Sequence, residues 1–481
     1  MEEIKNFING EFQNSSSGEY IDNINPATGE LIGKIASSNS IDVQNAVEAA
    51  NMAFTSWSAL TLEQRIIWLD KIADALEEKK ELVAQTESKD TGKPISLARR
   101  VDASRSISNF RFFAQFTSQQ NPMEFEMEDA MNYVHRKPVG VVGLITPWNL
   151  PLYLLTWKIA PALVMGNTII AKPSELTPLT ANLFASILQE IDFPKGVFNI
   201  VHGLGPSAGQ PILEHPKIKA ISFTGGTQTG RIVAKTAAPL FKKLSLELGG
   251  KNATVILADA DLHAAAKGAA RAGFTNSGQV CLCGSRILVD ASIAQQFTEL
   301  FLTEVRGMKQ GNPLDEATEI GSLISIQHLE KVESYVELAK QEGGTILTGG
   351  NRPIISGLEG SKGAYLEPTV IGGLDINSRT ATEEIFGPVV TLHTFENEEQ
   401  AIEMTNSTEY GLAGSVWTTD LERGRKFSQE IETGIMWVNT WLHRDLRTPF
   451  GGVKNSGVGR EGGQWSLSFY SEMTNICVKL D

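Results

Sequence analysis

The 481-residue chain is 41% hydrophobic and 20% charged, which is typical of a globular protein and excludes a disordered one. Its length exceeds what one ordinary core serves, so we expect two or three structural domains. A formal net charge of −14 argues against a general nucleic-acid binder, although a small basic pocket for an anionic substrate is compatible with it.

Apolar residues at helical spacing dominate the start of the chain, where residues 41–57 and 63–87 are predicted as helices. From about residue 140, short apolar runs alternate with amphipathic stretches. This alternation is typical of βαβ units, in which helices cover a parallel sheet and ligands gather beyond the carboxyl ends of the strands. Strands are predicted at 140–145, 167–171, 197–201 and 220–223, and a helix at 179–191.

A second αβ series is predicted from about residue 251 to 438. Its clearest early strands are 253–257 and 286–289. Two further segments, 131–135 and 475–480, have an alternating, extended pattern. Extended ends of this kind often pair with another subunit, so we expect contacts between copies of the chain there.

The three cysteines, Cys281, Cys283 and Cys477, do not form a disulfide framework, which favours a reducing compartment. The histidines lack the spacing of metal ligands, and we expect no metal site. Residues 1–12 contain acidic and polar residues, and no stretch approaches the roughly 20 apolar residues that span a bilayer. We therefore expect neither a signal peptide nor a membrane span, and a cytoplasmic location.

Cys281 ends the segment 276–281, of sequence NSGQVC. A thiolate attacks a carbonyl carbon well, and Gly278 would let the backbone approach a substrate closely. Taken alone, the segment favours a buried structural cysteine, which is the usual fate of a lone cysteine.

Glu247 and Asn149 are two further candidates for chemistry. Glu247 stands between leucines and before two glycines, an unusual place for a solvated carboxylate, and could serve as a general base with a raised pKa. Asn149 lies in 146–151 (TPWNLP), where two prolines fix the turn and would aim its amide at a developing oxyanion. The alternatives are a carboxylate at the end of a strand or helix, and a rigid turn without chemistry.

Together these three segments resemble the aldehyde dehydrogenase superfamily in order and spacing. The resemblance covers nearly the whole chain, and one such motif alone would be weak evidence. The further matching segments are 6–10 (NFING), 172–175 (KPSE), 223–227 (FTGGT), 384–388 (EIFGP) and 449–452 (PFGG).

The resemblance implies an α/β fold in three parts. A Rossmann-like NAD-binding domain would comprise residues 1–114 and 136–248, and a second αβ catalytic domain residues 249–460. A small β oligomerisation arm would comprise residues 115–135 and 465–481. It also implies a homodimer or homotetramer.

For the chemistry, the resemblance implies that Cys281 attacks an aldehyde and forms a thiohemiacetal and then a thioester. The Asn149 amide and the backbone N–H of Cys281 would hold the oxyanion, and Glu247 would activate water. Lys158 and Glu461 match residues that are sometimes assigned to a proton relay in relatives.

The implied cofactor is NAD. Segment 223–230 links a strand to a helix, and its glycines would admit a pyrophosphate at the helix N-terminus. Glu175 would accept the ribose hydroxyls and repel a 2′-phosphate, which favours NAD over NADP. The expected cofactor-binding residues are Ile145, Thr146, Pro147, Trp148, Lys172, Ser174, Glu175, Gly205, Gly209, Phe223, Thr224, Gly225, Gly226, Leu248, Gly249, Glu384 and Phe386.

Arginines indicate the kind of aldehyde. In relatives, the helix at 104–113 and the loop before residue 449 line the substrate tunnel, and this chain carries Arg105 and Arg444 there, with Trp157 as a third expected substrate residue. Arginine grips a planar carboxylate with two hydrogen bonds. Arg447 is a weaker candidate, and salt bridges are the alternative role for all of these arginines.

The amino-acid sequence of segments 105–113, 281–283 and 444–447 resembles that of the 2-aminomuconate and 2-hydroxymuconate semialdehyde dehydrogenases. Those enzymes oxidise unsaturated six-carbon semialdehydes during the breakdown of tryptophan and other aromatics. The pattern does not separate a 2-amino from a 2-hydroxy substrate.

Three other functions stay open at this point. The first is oxidation of betaine aldehyde, succinate semialdehyde or an aliphatic aldehyde. The second is a non-catalytic structural or binding role, against which the presence of Cys281, Glu247 and Asn149 speaks. The third is acyl transfer to coenzyme A, and the Glu247 carboxylate favours hydrolysis over that transfer.

Overall fold

Two large β-sheets organise the computed structural model, which describes residues 2–480. The first sheet has eight strands and the second has seven. Both are parallel in their centres, where strands such as Val141–Ile145 and Asn252–Ile256 are buried along their whole length. Helices cover these sheets because an apolar run of Val, Ile and Leu in a parallel strand has no face that favours water.

The first sheet combines a parallel centre with antiparallel edges. The strands Lys243–Glu247 through Phe198–Ile200 run parallel, while Gly457–Val458 and Asn6–Ile8 pair antiparallel at the two sides. In spatial order, its strands are Gly457–Val458, Lys243–Glu247, Ile218–Thr224, Val141–Ile145, Thr168–Lys172, Phe198–Ile200, Asn6–Ile8 and Glu11–Gln13.

The second sheet lies in the C-terminal half. Only its edge strand Thr345–Thr348 pairs antiparallel with its neighbour. In spatial order, its strands are Thr345–Thr348, Thr369–Gly372, Val389–Phe395, Gly284–Asp290, Asn252–Ile256, Ala413–Trp417 and Ile435–Val438.

A three-stranded antiparallel sheet, here called the arm, combines Met123–Glu126, Ala130–Pro138 and Ser471–Lys479. Its side chains are largely exposed, including Ile476 and Val478. The remaining strands are Glu2–Ile4, Leu31–Ala36 and Tyr20–Ile24 in one small sheet, and Tyr410–Gly411 with Val453–Lys454 in another.

The helices pack mostly on the two large sheets, and within residues 2–480 none is long and apolar enough to cross a bilayer. The α-helices are Ser40–Ser58, Leu62–Glu78, Lys80–Thr91, Ile95–Leu97, Ser104–Ser118, Pro151–Val164, Leu179–Glu190, Gln210–Glu214, Thr227–Ala237, Leu262–Phe274, Ala294–Gly307, Ile326–Gln341, Arg379–Thr382, Glu398–Asn406, Leu421–Gln429 and Gly463–Phe469. The π-helical turns are Ala98–Ala103 and Gly205–Gly209, and the 3₁₀ turns are Ala238–Leu240, Thr275–Gly278 and Ala291–Ile293.

One predicted element is wrong. The helix expected at 63–87 is two helices, Leu62–Glu78 and Lys80–Thr91, because Lys79 leaves the helical region with φ −105° and ψ 14°. The second helix turns to pack against Ala98–Ala103, a contact that local propensity does not encode.

The predicted helices at 41–57 and 179–191 and the predicted strands are observed, with shifted ends. The strand expected at 475–480, for example, begins earlier, at Ser471, because it pairs with the whole length of Ala130–Pro138. Pairing partners, which are distant in sequence, set such ends.

The parallel register of the first sheet places four strand ends side by side. Glu247 pairs with Thr224, Phe223 pairs with Ile145, and Ile145 pairs with Lys172. Ligands of open α/β sheets gather beyond such carboxyl ends. The fold therefore places several of the expected site residues on one edge.

Candidate active site

A cavity of about 670 Å³ opens at this edge of the first sheet. Its floor comes from the strand ends and the turns after them, and its wall from the helix Thr227–Ala237 and the turn Gly205–Gly209. Of the expected cofactor residues, it is lined by Ile145, Thr146, Pro147, Trp148, Lys172, Ser174, Glu175, Gly205, Gly209, Phe223, Thr224, Gly225 and Gly226.

Two glycines leave this cavity open next to the backbone. A Cβ atom built on Gly205 or Gly226 would meet no other atom within 4 Å. Gly226 also caps the helix Thr227–Ala237 at its N-terminus. Free N–H groups and the helix dipole make such an end attractive to a phosphate group.

Glu175 lies beside Lys172 at the far side of the cavity. The Lys172 ammonium donates to the Glu175 carboxylate at 3.0 Å, and the Glu175 side chain remains 30% exposed. The carboxylate is thus held in one position with oxygen lone pairs still open to a hydroxyl group.

A second cavity, of about 280 Å³, continues from the first past Pro147, Trp148 and Gly225. Leu248, Gly249, Glu384 and Phe386, the other expected cofactor residues, line it, and so do Asn149 and Cys281. The structure therefore places the expected cofactor-binding residues and two of the expected catalytic residues, Asn149 and Cys281, around two adjoining cavities that share lining residues.

Glu384 is fixed at the boundary between the two large sheets. Its carboxylate accepts the Gly250 N–H at 2.9 Å, and a Cβ on Gly249 would lie 2.2 Å from a Glu384 oxygen. Burial raises the pKa of Glu384 above its usual value, against the opposing effect of the Gly250 hydrogen bond. Only glycine at 249 leaves room for this carboxylate.

The Cys281 thiol is half-buried in the second cavity, just before the strand Gly284–Asp290. Asn252 holds its carbonyl through an amide hydrogen bond of 2.7 Å. Burial, and then the charges of Glu247 and Glu384, raise the pKa of the thiol, so the resting group is neutral. Within residues 2–480, its backbone N–H has no hydrogen-bond partner and is available to a ligand.

The loop before Cys281 has an unusual backbone. Asn276 and Ser277 adopt left-handed conformations, with φ of 55° each, and Gly278 follows with φ 71°. A Cβ on Gly278 would lie 2.0 Å from the carbonyl oxygen of Gly387. Glycine is thus required here by both conformation and space, and the strain is of the kind that active sites retain.

Asn149 is pinned by its backbone and by its side chain. Its carbonyl accepts from the buried Lys93 ammonium at 2.9 Å and from Asn276 at 3.2 Å, and its own amide donates to the carbonyl of Gln279 at 3.0 Å. Lys93 is itself held by Asp102 at 2.8 Å. Among the described residues the second N–H of the Asn149 amide has no acceptor, so it can serve a bound oxygen.

Glu247 ends its strand in a closed place, near the charged groups of Glu461, Lys158 and Arg444. It is 4% exposed, and neither carboxylate oxygen has a hydrogen-bond partner within residues 2–480. Burial and then the charge of Glu461 raise the pKa of Glu247 well above its usual value. A Cβ on Gly451 would come 2.7 Å from one of its oxygens, so that glycine makes room for the carboxyl group.

Lys158 and Glu461 form a buried ion pair at 2.6 Å. Glu461 also accepts from the Trp157 indole at 2.8 Å and from Ser222 at 3.2 Å. Since Glu461 raises the pKa of Glu247 and Lys158 opposes it, this pair acts on the site electrostatically. The expected proton relay through the pair stays a prediction.

Arg444 lies over two aromatic rings. Its guanidinium carbon is 4.3 Å from the Trp157 ring centroid and 4.2 Å from that of Phe450, and one of its amino groups donates to the Tyr153 hydroxyl. Its other amino group, Nη2, is buried and has no partner within residues 2–480. The Arg105 guanidinium lies over the Tyr153 ring, with its carbon 5.5 Å from the ring centroid.

The other arginines point elsewhere. Arg447 is exposed and paired with Asp445, and Arg111 is exposed and paired with Asp70 and Asp74. Arg99 pairs with two glutamates on the surface. Arg444 and Arg447 both line a shallow cavity of about 540 Å³, but they differ in their partners, because only Arg447 is paired with a carboxylate.

Several lining residues were missed by the motifs. In the second cavity, His328 and Lys331 lie one turn apart on the helix Ile326–Gln341. Burial lowers the pKa of His328 to about 4, so the ring is neutral, and its Nε2 lies 2.7 Å from the Phe386 carbonyl. Three apolar residues complete the first cavity, Leu213 on one helix and Ile232 and Val233 on another. Apolar residues on a helix signal only packing.

No group of three or more His, Cys, Asp or Glu side chains in residues 2–480 is placed to hold a metal ion.

The comparisons with known proteins agree with this geometry. The model of the "Aldehyde dehydrogenase family" matches residues 12–476. A 2-aminomuconic 6-semialdehyde dehydrogenase from Pseudomonas sp. is 46% identical, over 100% of this chain and 99% of its own length. A 2-hydroxymuconic semialdehyde dehydrogenase from Pseudomonas sp. strain CF600 is 44% identical, over 100% of both chains.

Among solved structures, the NAD⁺ complex of an aldehyde dehydrogenase from Bacillus cereus has a TM-score of 0.96 and 38% identity, covering 100% of this chain and 97% of that one. The chain thus belongs to the aldehyde dehydrogenase family. The predictions of the family, the α/β fold class and an NAD-dependent aldehyde dehydrogenase are confirmed.

Proposed function

We propose that this enzyme oxidises the aldehyde of 2-aminomuconate 6-semialdehyde or 2-hydroxymuconate semialdehyde to a carboxylate, with Arg444 and Arg105 holding the carboxylate at the other end. The observation that carries the proposal is the free Nη2 group of Arg444. Buried polar groups are normally hydrogen-bonded, and an unpaired cationic donor is costly. An anionic end of the substrate supplies the missing partner.

The placement of Arg444 supports a carboxylate ligand over a structural ion pair. Within residues 2–480 it has no carboxylate within salt-bridge distance, whereas Arg447, three residues on, pairs with Asp445. The Trp157 and Phe450 rings pack against its guanidinium and limit its movement, which favours two-point binding of a carboxylate. The relatives named for muconate-type semialdehydes are consistent with this assignment.

The proposed chemistry begins at Cys281. The thiol first releases its proton to water. Its sulfur then bonds to the aldehyde carbon as the carbonyl π bond breaks, and the free N–H groups of Asn149 and of the Cys281 backbone stabilise the negative charge that forms on oxygen. Such donors are worth about 10²–10³ in rate each. NAD, when bound, supplies the acceptor for the hydride that leaves the thiohemiacetal carbon.

The second half of the proposed cycle belongs to Glu247. The thioester on Cys281 is hydrolysed when a water molecule gives a proton to the Glu247 carboxylate and bonds to the acyl carbon. The carbon–sulfur bond then breaks and the acid leaves. A carboxylate without hydrogen-bond partners, held in a dry site, is a stronger base than one in water.

The residues present fit the dinucleotide. The open glycines 205 and 226 leave room for phosphates next to free backbone N–H groups, and Glu175 would accept the adenosine ribose hydroxyls. Glu384 would hold the second ribose, and Phe386, in T-shaped contact with Trp148 at 5.3 Å, would face the nicotinamide ring.

Replacing Glu175 with glutamine should relax the preference for NAD. The charge that would oppose a 2′-phosphate disappears while the shape is kept, and the freed Lys172 ammonium attracts the phosphate. We expect the ratio of kcat/KM for NADP to that for NAD to rise by about tenfold to a hundredfold. Initial rates of NADH and NADPH formation measure it, with Glu190→Gln, an exposed surface carboxylate, as the control. An unchanged ratio would remove Glu175 from the cofactor site.

Replacing Arg444 or Arg105 with alanine should impair only carboxylated substrates. Charged hydrogen bonds are worth about 1.5–3 kcal/mol, so KM for the semialdehyde should rise by about tenfold to a hundredfold. KM for propanal should stay within about twofold, since the neutral aldehyde makes no such bond.

The chain offers a matched control for each arginine. Arg111 lies on the same helix as Arg105, and Arg447 on the same loop as Arg444, yet both are exposed and paired elsewhere. Their alanine variants should behave as the unaltered enzyme. Equal losses on semialdehyde and propanal in the Arg444→Ala variant would reject the carboxylate assignment.

For assembly we propose a homodimer or homotetramer whose subunits pair through the arm. For the domains we propose the bounds that the sequence resemblance implies. Exposed apolar side chains on the arm, Phe125, Met473, Ile476 and Val478, support it. We keep the cytoplasm as the proposed location, which the three free cysteines favour.

A further inference from the structure

Tyr153 connects the two arginines of the proposed carboxylate site. It lies on the first turn of the helix Pro151–Val164 and is 4% exposed. One side of its ring packs in a small apolar cluster with Leu97, Val101 and Leu150. Its carbonyl accepts the Asn109 amide at 3.1 Å. The side chain is therefore held rigidly from one direction.

Two cations also contact the Tyr153 side chain. The Arg105 guanidinium lies over the ring, with its carbon 5.5 Å from the ring centroid. The Tyr153 hydroxyl oxygen accepts a hydrogen bond from Nη1 of Arg444. A phenol thus separates two positive charges that have no carboxylate partner in residues 2–480.

The hydroxyl proton of Tyr153 is not used by the protein. A phenol can donate one hydrogen bond and accept others, and this one is bound through its oxygen alone. Among the described residues, its O–H has no acceptor. An O–H whose oxygen accepts from a guanidinium is polarised and is a better donor to an anion.

We propose that Tyr153 is a further specificity-determining residue, which donates its hydroxyl proton to the substrate carboxylate beside Nη2 of Arg444. The two free donors belong to groups in direct contact with each other, so both can address one carboxylate. This inference rests on the proposed function and names a third ligand for the same anionic group.

The arrangement also selects against neutral aldehydes. A bound molecule without a carboxylate would leave the phenol O–H and the Arg444 Nη2 group buried and unpaired. A site built around polar donors rejects an analogue that lacks the matching acceptor more strongly than an apolar pocket rejects a misfit. The selectivity arises from the hydrogen bonds that only a carboxylate makes with these donors, which a neutral aldehyde neither gains nor loses.

The test is the Tyr153→Phe variant, which removes only the hydroxyl group. KM for 2-hydroxymuconate semialdehyde should rise by about fivefold to tenfold with kcat within about twofold, because one hydrogen bond to a charged group is lost. The inhibition constant of muconate, an unreactive six-carbon dicarboxylate, should rise by the same factor. KM for propanal should not change.

A second tyrosine variant serves as the control. It shows whether the loss of any buried hydroxyl group changes the kinetic constants, wherever that group lies. Tyr365 is also buried, its hydroxyl has no partner in residues 2–480, and it packs with Ala27 and Ile355 away from the site. Tyr365→Phe should leave all of these constants unchanged. A fall in kcat for both aldehydes in Tyr153→Phe, or no change in either constant, would overturn the assignment of Tyr153.

The outcomes for the two proposals can be separated. If the unaltered enzyme does not prefer the semialdehyde to propanal, the proposed function fails before any variant is made, and this inference fails with it. If the preference is present and is lost in Arg444→Ala but kept in Tyr153→Phe, only the role of Tyr153 is overturned. The expected result is loss of the preference in Arg444→Ala and partial loss in Tyr153→Phe.

Discussion

Replacing Cys281 with alanine should abolish aldehyde oxidation and leave the binding of NAD intact. The attacking sulfur is lost, and removal of a catalytic nucleophile lowers kcat by about 10⁴-fold to 10⁶-fold. Cys281 does not line the first cavity, of about 670 Å³, so the shape of that cavity is preserved in the variant. Absorbance of NADH measures turnover, and titration calorimetry measures the dissociation constant of NAD, which should stay within about twofold.

The other two cysteines provide the controls. Cys477 is exposed on the arm, and Cys283 is buried two residues from Cys281 with its sulfur 3.8 Å from the Thr275 carbonyl. Cys477→Ser should retain full activity, and Cys283→Ala should retain activity with some loss of stability from the cavity it leaves. If Cys283→Ala is as inactive as Cys281→Ala, the nucleophile has been assigned to the wrong thiol.

The sequence predicted much of the first cavity because its parts are local. A strand, a glycine turn and a helix N-terminus occupy consecutive positions at 218–237, and each has its own chemical signature. The same holds for Pro147 and Pro151 around Asn149. What could not be predicted is that Cys281 would lie close enough to Glu247 for the carboxylate to raise the pKa of the thiol, since Glu247 ends a strand of the first large sheet and Cys281 precedes a strand of the second.

The carboxylate site shows the limit of this approach more sharply. Arg444 was expected from its place in the chain, but its contacts with Tyr153 and Phe450 were not. Tyr153 is distant from Arg444 in sequence, and Phe450 is separated from it by a turn. A signal for Tyr153 was present: it is four residues before Trp157 on one helix, and such residues share a face. The break of the helix at Lys79 had no comparable signal, because it depends on packing against Ala98–Ala103.

Glu384 and His328 illustrate a further difference. Glu384 belongs to a recognisable segment, whereas the histidine lies on a helix whose apolar spacing suggests only packing. Only the folded chain brings the His328 ring to 5.3 Å from that of Trp148 and its nitrogen to the Phe386 carbonyl. Site residues in a recognisable segment are thus found by sequence, while those on an amphipathic helix are found only by structure.

Replacing Glu247 with glutamine should stop the cycle after the hydride has left. The amide cannot take a proton from water, so the thioester on Cys281 accumulates. Stopped-flow measurements should show a burst of about one NADH per active site, followed by a steady-state rate lowered by about 10²-fold to 10⁴-fold. Gln also keeps the volume of the side chain in a site where Gly451 leaves little room. Full steady-state activity would reject Glu247 as the base.

The pH dependence tests the same assignment by a different measurement. Burial and Glu461 raise the pKa of Glu247, and only its ionised form accepts a proton. Steady-state turnover of the unaltered enzyme should therefore rise with pH through that raised pKa, and the rise should vanish in Glu247→Gln. In Glu461→Gln the neighbouring negative charge is gone while Lys158 remains, so the same rise should move to lower pH. A rise that does not move in Glu461→Gln would mean that another group limits deacylation.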